Sequence, residues 1–171
     1  LINKLEKSEK DISENIMIVD LVRNDLSKIA KKNTVEVDEL CGIYTFPQVH
    51  QMISTIKAKL QDNTTFDDII KALFPMGSMT GAPKISAMQL IEKYETTKRG
   101  LYSGSVGYIN SEGDFDFNVV IRSLAYNSQS GYLSFMVGGA ITALSDPEKE
   151  YEECLLKAKA MMEVLQPTIA T

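Results

Sequence analysis

Hydrophobic residues change their spacing along this chain, and that change restricts the possible folds more than any other feature. Between residues 8 and 31, apolar residues recur at helical spacing. After residue 100, three runs are instead typical of strands: LYSGSVGYI, DFDFNVVIRSLAY and YLSFMVGGAIT. The polar segments NSEG and NSQSG that join them are short enough for antiparallel turns. The pattern predicts three neighbouring antiparallel strands at Leu101–Asn110, Asp114–Asn127 and Tyr132–Thr142.

Two long helices are predicted on either side of these strands. The first covers Ser8–Lys31, because its first residues have the spacing of a capping box. The second covers Asp146–Gln166, where Ser145 or Asp146 can cap a first turn that contains a proline.

The segments between these helices and strands are also regular. Residues 33–60 are typical of strands, TFDDIIKALF predicts a short helix, and residues 85–94 predict another. No repeat, low-complexity tract or linker interrupts them. The sequence therefore predicts a single α+β unit in which an antiparallel sheet is flanked by helices.

Charge and hydropathy exclude several classes of protein. The 171 residues include 18 basic and 23 acidic side chains, and this net charge of −5 argues against a nucleic-acid binder. No apolar run approaches the roughly 18 residues of a membrane span, and the first residues lack the apolar core of a signal peptide. Cys41 and Cys154 belong to no motif and fit a reduced setting. We expect a cytoplasmic protein with neither a nucleic-acid nor a membrane partner.

The stretch PMGSMTGAPKISAMQLIE contains two glycines, a proline and a lysine before a helical run. It is not a Walker phosphate loop, because three residues separate Gly77 from Gly81 and two more precede the lysine. Two interpretations remain. The glycines and the Ser78 hydroxyl could bind an anion near the start of the following helix, or the stretch is a helix-entry turn. Spacing alone favours the turn.

Two pairs of carboxylates lie three positions apart on the predicted helices: Asp11 with Glu14, and Glu150 with Glu153. Together they could form an oxygen-rich magnesium site. Acids in a first helical turn also complement the helix dipole, and spacing alone favours that simpler role. The single histidine, His50, excludes a His-rich zinc site, so a metal would lie mainly on carboxylates.

Arg122 lies inside the run DFNVVIRSLAY, where a strand would bury its guanidinium. A buried arginine requires an anion, which can be a substrate carboxylate or a structural ion-pair partner. Lys157 follows Glu153 by one helical turn, the spacing of an ordinary helical ion pair. The segment VGGA, Val137–Ala140, indicates a bulge or the close approach of a ligand.

Five motifs, in order along nearly the whole chain, resemble those of the chorismate-utilising enzymes: ENIMIVDLVRNDL, GSMTGAPKISAMQLIE, RGLYSGSVGYI, DFDFNVVIRS and SDPEKEYEECLLKAKAMM. This family includes the first components of anthranilate synthase and para-aminobenzoate (aminodeoxychorismate) synthase, together with isochorismate and salicylate synthases. The resemblance implies that residues 1–171 are the C-terminal portion of a single chorismate-binding catalytic domain. It also implies that the family's reactive lysine and general acid precede Leu1, so we expect this segment to be inactive alone.

The resemblance implies a magnesium ion that bridges acidic side chains and the ring carboxylate of chorismate. Glu14 and Glu153 correspond to the metal ligands, and we therefore expect them to share one cavity. Asp11 and Glu150 correspond to their acidic neighbours, although several relatives have Glu at the position of Asp11. Lys157 corresponds to a lysine near the metal and the carboxylate.

The resemblance also implies substrate-binding and catalytic residues. Tyr102 and Arg122 correspond to residues that hold the enolpyruvyl carboxylate. The backbone of Gly138, Gly139 and Ala140 corresponds to a segment that contacts the substrate. Two further positions have catalytic counterparts: His50 corresponds to a histidine near the departing hydroxyl, and Ser78 to a hydroxyl residue near the ring carboxylate.

Within the family, the motifs are most similar to para-aminobenzoate synthase component I. That likeness implies conversion of chorismate and ammonia to 4-amino-4-deoxychorismate, with the ammonia supplied by a glutamine amidotransferase subunit or domain. Anthranilate synthase component I is the alternative, because the segment that discriminates between the two would precede Leu1. A non-catalytic chorismate-binding remnant is a third possibility.

Overall fold

A computed structural model describes residues 2–47, 49–143 and 145–166 of the chain. Within these ranges the helices are α1 Ile2–Leu5, α2 Glu9–Ser27, α3 Phe66–Leu73, α4 Lys84–Tyr94 and α5 Pro147–Leu165. The strands are β1 Glu36–Thr45, β2 His50–Lys57, β3 Ser105–Ile109, β4 Phe115–Val119, β5 Ala125–Asn127 and β6 Tyr132–Ser134. These strands pair in antiparallel fashion as β1–β2, β3–β4 and β5–β6. The predicted α+β class with antiparallel sheet is confirmed.

The chain divides into two compact units, Leu1–Thr96 and Thr97–Thr171. The first contains α1 to α4 and the β1–β2 hairpin, and the second contains β3 to β6 and α5. That residues 1–171 form one portion of a single catalytic domain stays a prediction.

In the first unit, α2 lies against the β1–β2 hairpin. The helix begins where predicted, because Ser8 Oγ accepts a hydrogen bond from Asp11 N at 3.4 Å. Further along the helix, the Asn15 side-chain carbonyl accepts hydrogen bonds from Ser54 Oγ and Cys41 Sγ of the hairpin. These contacts fix the N-terminal half of α2 on the two strands.

The other end of α2 packs on α3. Ile29, Ile69 and Ala72 are buried together, which forms a small apolar core. The helix itself ends at Ser27 and not at the predicted Lys31. The reason is a change of hydrogen-bond partner, since Lys31 N donates to Lys59 O at 2.7 Å and not to a helical carbonyl.

In the second unit, the three predicted strands form two separate hairpins. The prediction of one strand over Asp114–Asn127 is wrong, because the chain leaves the ladder after Val119. Ile121 N donates to Val119 O at 3.0 Å, and Arg122 has φ 50°, a left-handed conformation that strands do not contain. Arg122 is therefore exposed in a turn, and the expected buried strand arginine is also wrong.

The other two late strands are shorter than predicted. Residues before β3 form a turn, in which Gly104 N donates to Leu101 O at 2.9 Å. The last strand, β6, ends at Ser134, eight residues before its predicted end at Thr142. The chain after it contacts α5 instead of continuing the ladder, as described below.

The last helix agrees with the prediction to within one residue at each end. Asp146 is its N-cap, since the Asp146 carboxylate accepts a hydrogen bond from Lys149 N at 3.1 Å. Over the ranges that the structure describes, no helix has the length and apolar character needed to cross a membrane.

Candidate functional site

The Val137–Ala140 segment lies against α5 in the second unit. Lys157 Nζ donates a hydrogen bond to Gly138 O at 3.1 Å and forms an ion pair with Glu153 Oε1 at 2.6 Å. The ion pair with Glu153 has the spacing predicted from the sequence. Lys157 therefore connects the glycine segment to an acidic residue of the helix.

Both glycines of this segment lie where a side chain would contact another predicted site residue. A Cβ atom added to Gly138 would lie 2.9 Å from the Tyr102 hydroxyl oxygen, closer than real Cβ atoms approach other atoms. A Cβ atom added to Gly139 would lie 3.2 Å from Glu150 Oε2. The lack of side chains lets the backbone approach Tyr102 and Glu150 closely.

The Glu150 carboxylate is buried in the first turn of α5, and the residue is only 5% exposed. Ser145 Oγ donates a hydrogen bond to Glu150 Oε1 at 2.8 Å and lies 3.5 Å from Ala140 O. Sequence spacing predicts Ser145 only as a helix cap. The sequence does not predict its contact with Glu150, because a hydroxyl residue just before a helix is ordinarily a cap.

Tyr102 has two neighbours that the sequence did not single out. The Arg99 guanidinium lies 5.9 Å from the centroid of the Tyr102 ring, within range of a cation–π contact. Arg99 Nη1 also donates a hydrogen bond to Ser103 Oγ at 3.1 Å. Ser103 is buried, and Ser103 N donates to Val120 O at 3.0 Å. These contacts fix the Tyr102 backbone at the end of the β3–β4 hairpin.

In the first unit, His50 and Asp11 line one cavity of about 570 Å³. Ser8 and Thr45 add hydroxyl groups to its wall. His50 Nδ1 lies 3.0 Å from Thr45 Oγ1, a contact that orients the imidazole ring. Two predicted site residues, one from α2 and one from β2, thus line the same cavity.

Ser78 is exposed on a 3₁₀ turn, Gly77–Met79, between α3 and α4. Pro83 directly precedes α4, so the interpretation of this stretch as a helix-entry turn is confirmed. Thr80 Oγ1 lies 3.2 Å from both Met76 O and Gly77 O, which makes the turn compact. Binding of an anion by Ser78 stays a prediction.

Two predicted groupings of residues remain predictions. Glu14 is half-buried on α2 in the first unit, and Glu153 lies on α5 in the second. That their carboxylates share one cavity stays a prediction. That Tyr102 and Arg122 hold the same carboxylate likewise stays a prediction.

The carboxylates have the donor chemistry that Mg²⁺ requires. Among the residues that the structure describes, no group of three or more His, Cys, Asp or Glu side chains is placed to hold a metal. Mg²⁺ is commonly bound by one or two carboxylates together with water and substrate oxygens, so either pair of acids suits the ion by its donor chemistry. A magnesium site formed by all four acids stays a prediction.

A family model described as chorismate binding enzyme matches residues 1–163. The chain belongs to the chorismate-binding enzyme family. Aminodeoxychorismate synthase from Streptomyces griseus is 44% identical to it over 165 residues, which is 96% of this chain. Anthranilate synthase component 1 from Aquifex aeolicus is 40% identical over 162 residues, which is 95% of this chain.

A solved structure of this family confirms the fold. Anthranilate synthase component I from Streptococcus pneumoniae TIGR4 matches 94% of the chain with a TM-score of 0.83 and 36% sequence identity. The chain spans only part of each relative: 22% of the S. griseus protein, 32% of the A. aeolicus protein and 36% of the S. pneumoniae chain.

Proposed function

We propose that the chain is part of an aminodeoxychorismate synthase. In this reaction the bond from ring carbon C4 of chorismate to its hydroxyl breaks, a bond from C4 to the nitrogen of ammonia forms, and water is released. The observation that carries the proposal is the cluster around Gly138 and Gly139. Tyr102, Glu150 and Lys157 converge there, and the resemblance gives each of them a role toward chorismate or its metal. The 44% identity to the S. griseus enzyme supports the choice of product.

Chorismate carries two carboxylates, and cationic and hydroxyl groups of the chain would bind them. Lys157 Nζ, which lies 3.1 Å from Gly138 O, would place a positive charge beside the glycine segment. Tyr102 would donate its hydroxyl to the enolpyruvyl carboxylate, and the exposed Arg122 would bind the same group through two hydrogen bonds. Ser78 would donate a hydrogen bond to the ring carboxylate. Holding both ends fixes the orientation of the ring.

The acids would hold Mg²⁺ next to the ring carboxylate. Glu14 and Glu153 would be the ligands, with Asp11 and Glu150 as acidic neighbours. When bound, the ion would act as a Lewis acid on that carboxylate. The hydrogen bond from Ser145 would keep the buried Glu150 carboxylate oriented in the first turn of α5.

His50 would lie beside the departing C4 hydroxyl and orient it, and the general acid that the resemblance places before Leu1 would supply the proton that leaves with it. Its contact with Thr45 Oγ1 orients the ring for this role. The ammonia would come from a glutamine amidotransferase subunit or domain, and the location would be cytoplasmic.

Identification of the product tests the proposal. The full-length protein is incubated with chorismate, Mg²⁺ and an ammonium salt, and products are separated by chromatography and identified by mass spectrometry. We expect 4-amino-4-deoxychorismate without release of pyruvate. Anthranilate with an equal amount of pyruvate would instead favour anthranilate synthase. The 40% identity to the A. aeolicus protein supports this alternative. Magnesium-dependent binding of chorismate with neither product would identify a non-catalytic remnant.

A further inference from the structure

The lysine that follows the glycine turn binds a carboxylate of its own chain. Lys84 Nζ lies 2.8 Å from Asp25 Oδ2, and the two side chains are 12% and 3% exposed. Lys28 Nζ approaches the other oxygen of the same carboxylate, Asp25 Oδ1, at 2.7 Å from the exposed side of α2. A buried charge requires such a partner, so the Lys84 ammonium is committed to Asp25.

The same ammonium also closes the loop that carries Ser78. Lys84 Nζ lies 3.4 Å from Leu73 O, the last residue of α3. Leu73 immediately precedes the loop Phe74–Pro83, and Lys84 immediately follows it. Both ends of the loop are therefore held at one charged group.

The middle of the loop is held on the same face of α2. A Cβ atom added to Gly77 would lie 2.9 Å from Leu21 Cδ2, so the backbone of Gly77 packs directly on this leucine. Leu21 and Asp25 are one helical turn apart. α2 thus holds the loop through an apolar contact between Leu21 and Gly77, and it holds the residue that directly follows the loop through the ion pair of Asp25 with Lys84. Gly77 is buried and Ser78 is exposed as a result.

We infer that Lys84 is a positioning residue. Its ion pair with Asp25 fixes the loop Phe74–Pro83 on α2 and thereby sets the position of the Ser78 hydroxyl. The consequence for chorismate binding rests on the proposed function, whereas the fixing of the loop does not.

Hydrogen exchange tests the fixing of the loop without any substrate. Within the turn, Met79 N donates to Met76 O at 3.0 Å, and Thr80 N donates to Gly77 O at 3.1 Å. In Lys84→Met, exchange of these two amides should accelerate roughly tenfold or more, because the turn opens more often. Lys28→Met is the matched control: it removes a cation from the same carboxylate, and exchange in the turn should not change. Unchanged exchange in Lys84→Met would overturn the inference.

A second variant covers the case in which Lys84→Met does not fold because Asp25 is left buried without its partner. Asp25→Asn combined with Lys84→Met removes both charges, a change that buried ion pairs often tolerate. The same acceleration of exchange is expected there, and its absence in a folded double variant would also overturn the inference.

Steady-state kinetics of the full-length protein test the consequence for Ser78. A displaced Ser78 should raise KM for chorismate roughly tenfold with a smaller change in kcat, because the hydroxyl contacts the bound substrate. Lys84→Arg should restore part of the loss. In a Ser78→Ala background, Lys84→Met should raise KM no further. A lower kcat at unchanged KM would indicate only loss of folded protein and would overturn the positioning role. If the wild-type protein neither binds nor converts chorismate, the proposed function fails and hydrogen exchange alone decides the inference.

Discussion

At Gly138, the absence of a side chain determines where the Tyr102 hydroxyl can lie. A methyl group there would displace the hydroxyl oxygen, which lies 2.9 Å from the Cβ position. If Tyr102 binds a carboxylate of chorismate, Gly138→Ala should lower kcat/KM by roughly 10²-fold, since small displacements of a positioning group are costly. Steady-state kinetics of the full-length protein measure the effect. Tyr102→Phe is the control, because it removes the displaced oxygen, and a full additional loss from Gly138→Ala in that background would contradict the contact.

Ser145 donates a hydrogen bond to a buried carboxyl group. Its hydroxyl is 2.8 Å from Glu150 Oε1, and a hydrogen bond to a charged group contributes about 1.5–3 kcal/mol. Ser145→Ala should lower the free energy of unfolding by that amount, as measured by urea denaturation. Ser123→Ala is the matched control, because Ser123 Oγ donates to Ile121 O in an exposed turn and its loss should cost less than about 0.5 kcal/mol. Equal losses in the two variants would show that Ser145 does not support Glu150.

Sequence spacing predicts contacts within one helix, but not contacts between distant segments of the chain. The Lys157–Glu153 ion pair was predictable, because residues four apart on a helix are neighbours. The hydrogen bond from Lys157 to Gly138 O spans 19 positions of chain, and no periodic pattern links its ends. The partner of Lys84 was not predictable either. Its position after a glycine turn is compatible with binding of an external anion, but in the structure it pairs with Asp25 of α2.

Among the helices, α3 begins with a complete capping box that can be tested by pH. Asp68 N donates to Thr65 Oγ1 at 3.2 Å, and Thr65 N donates back to Asp68 Oδ2 at 3.0 Å. Thr65 Oγ1 also donates to Asp68 Oδ2 at 2.6 Å. The hydrogen bonds from the Thr65 hydroxyl and backbone hold the pKa of Asp68 below its ordinary value of 3.8. The stabilisation is therefore present above the ordinary pKa and is lost as pH falls through the lowered one.

Thr65→Ala should remove this cap. It should lower the free energy of unfolding by about 1 kcal/mol and raise the pKa of Asp68 toward 3.8. Urea denaturation at several pH values and NMR titration of the Asp68 carboxyl carbon measure the two effects. Thr64→Ala, one position earlier, should change neither quantity at Asp68. An unchanged pKa of Asp68 in Thr65→Ala would show that the hydroxyl does not contribute, because the Thr65 backbone N–H is still present in that variant.

Helix starts were predictable, whereas the C-terminal end of α2 and the strand ends were not. Ser8 and Asp146 are capping residues whose chemistry is visible in the sequence. The break after Val119 depends instead on a left-handed φ at Arg122. Left-handed backbone is ordinarily adopted by Gly, Asn and Asp, so an arginine within an apolar run does not predict it. The alternation of apolar residues in the sequence continues past Val119, although the hydrogen bonds between β3 and β4 end there.

For the molecule as a whole, the proposed magnesium site requires both Glu14 and Glu153 as ligands. Glu14→Gln and Glu153→Gln should each weaken Mg²⁺ binding in the presence of chorismate, by roughly 10- to 100-fold or more. Isothermal titration calorimetry of the full-length protein measures this. Glu152→Gln is the matched control, because Glu152 is the exposed neighbour of Glu153 on α5 and should have no effect. If only one of the two substitutions weakened binding, the shared site would be wrong.

The segment of 171 residues should be inactive by itself, because the resemblance implies that the family's reactive lysine and general acid lie outside it. Its late hairpins also carry exposed apolar side chains: Val106 is 62% exposed, Tyr108 65% and Tyr126 64%. Isolated two-stranded hairpins are marginal in water, and such surfaces promote association. We expect the purified segment to bind a hydrophobic dye and to form no aminated product from chorismate, Mg²⁺ and ammonia. The full-length protein under the same conditions is the control, and turnover by the segment comparable to that control would show that these residues alone contain the complete catalytic machinery.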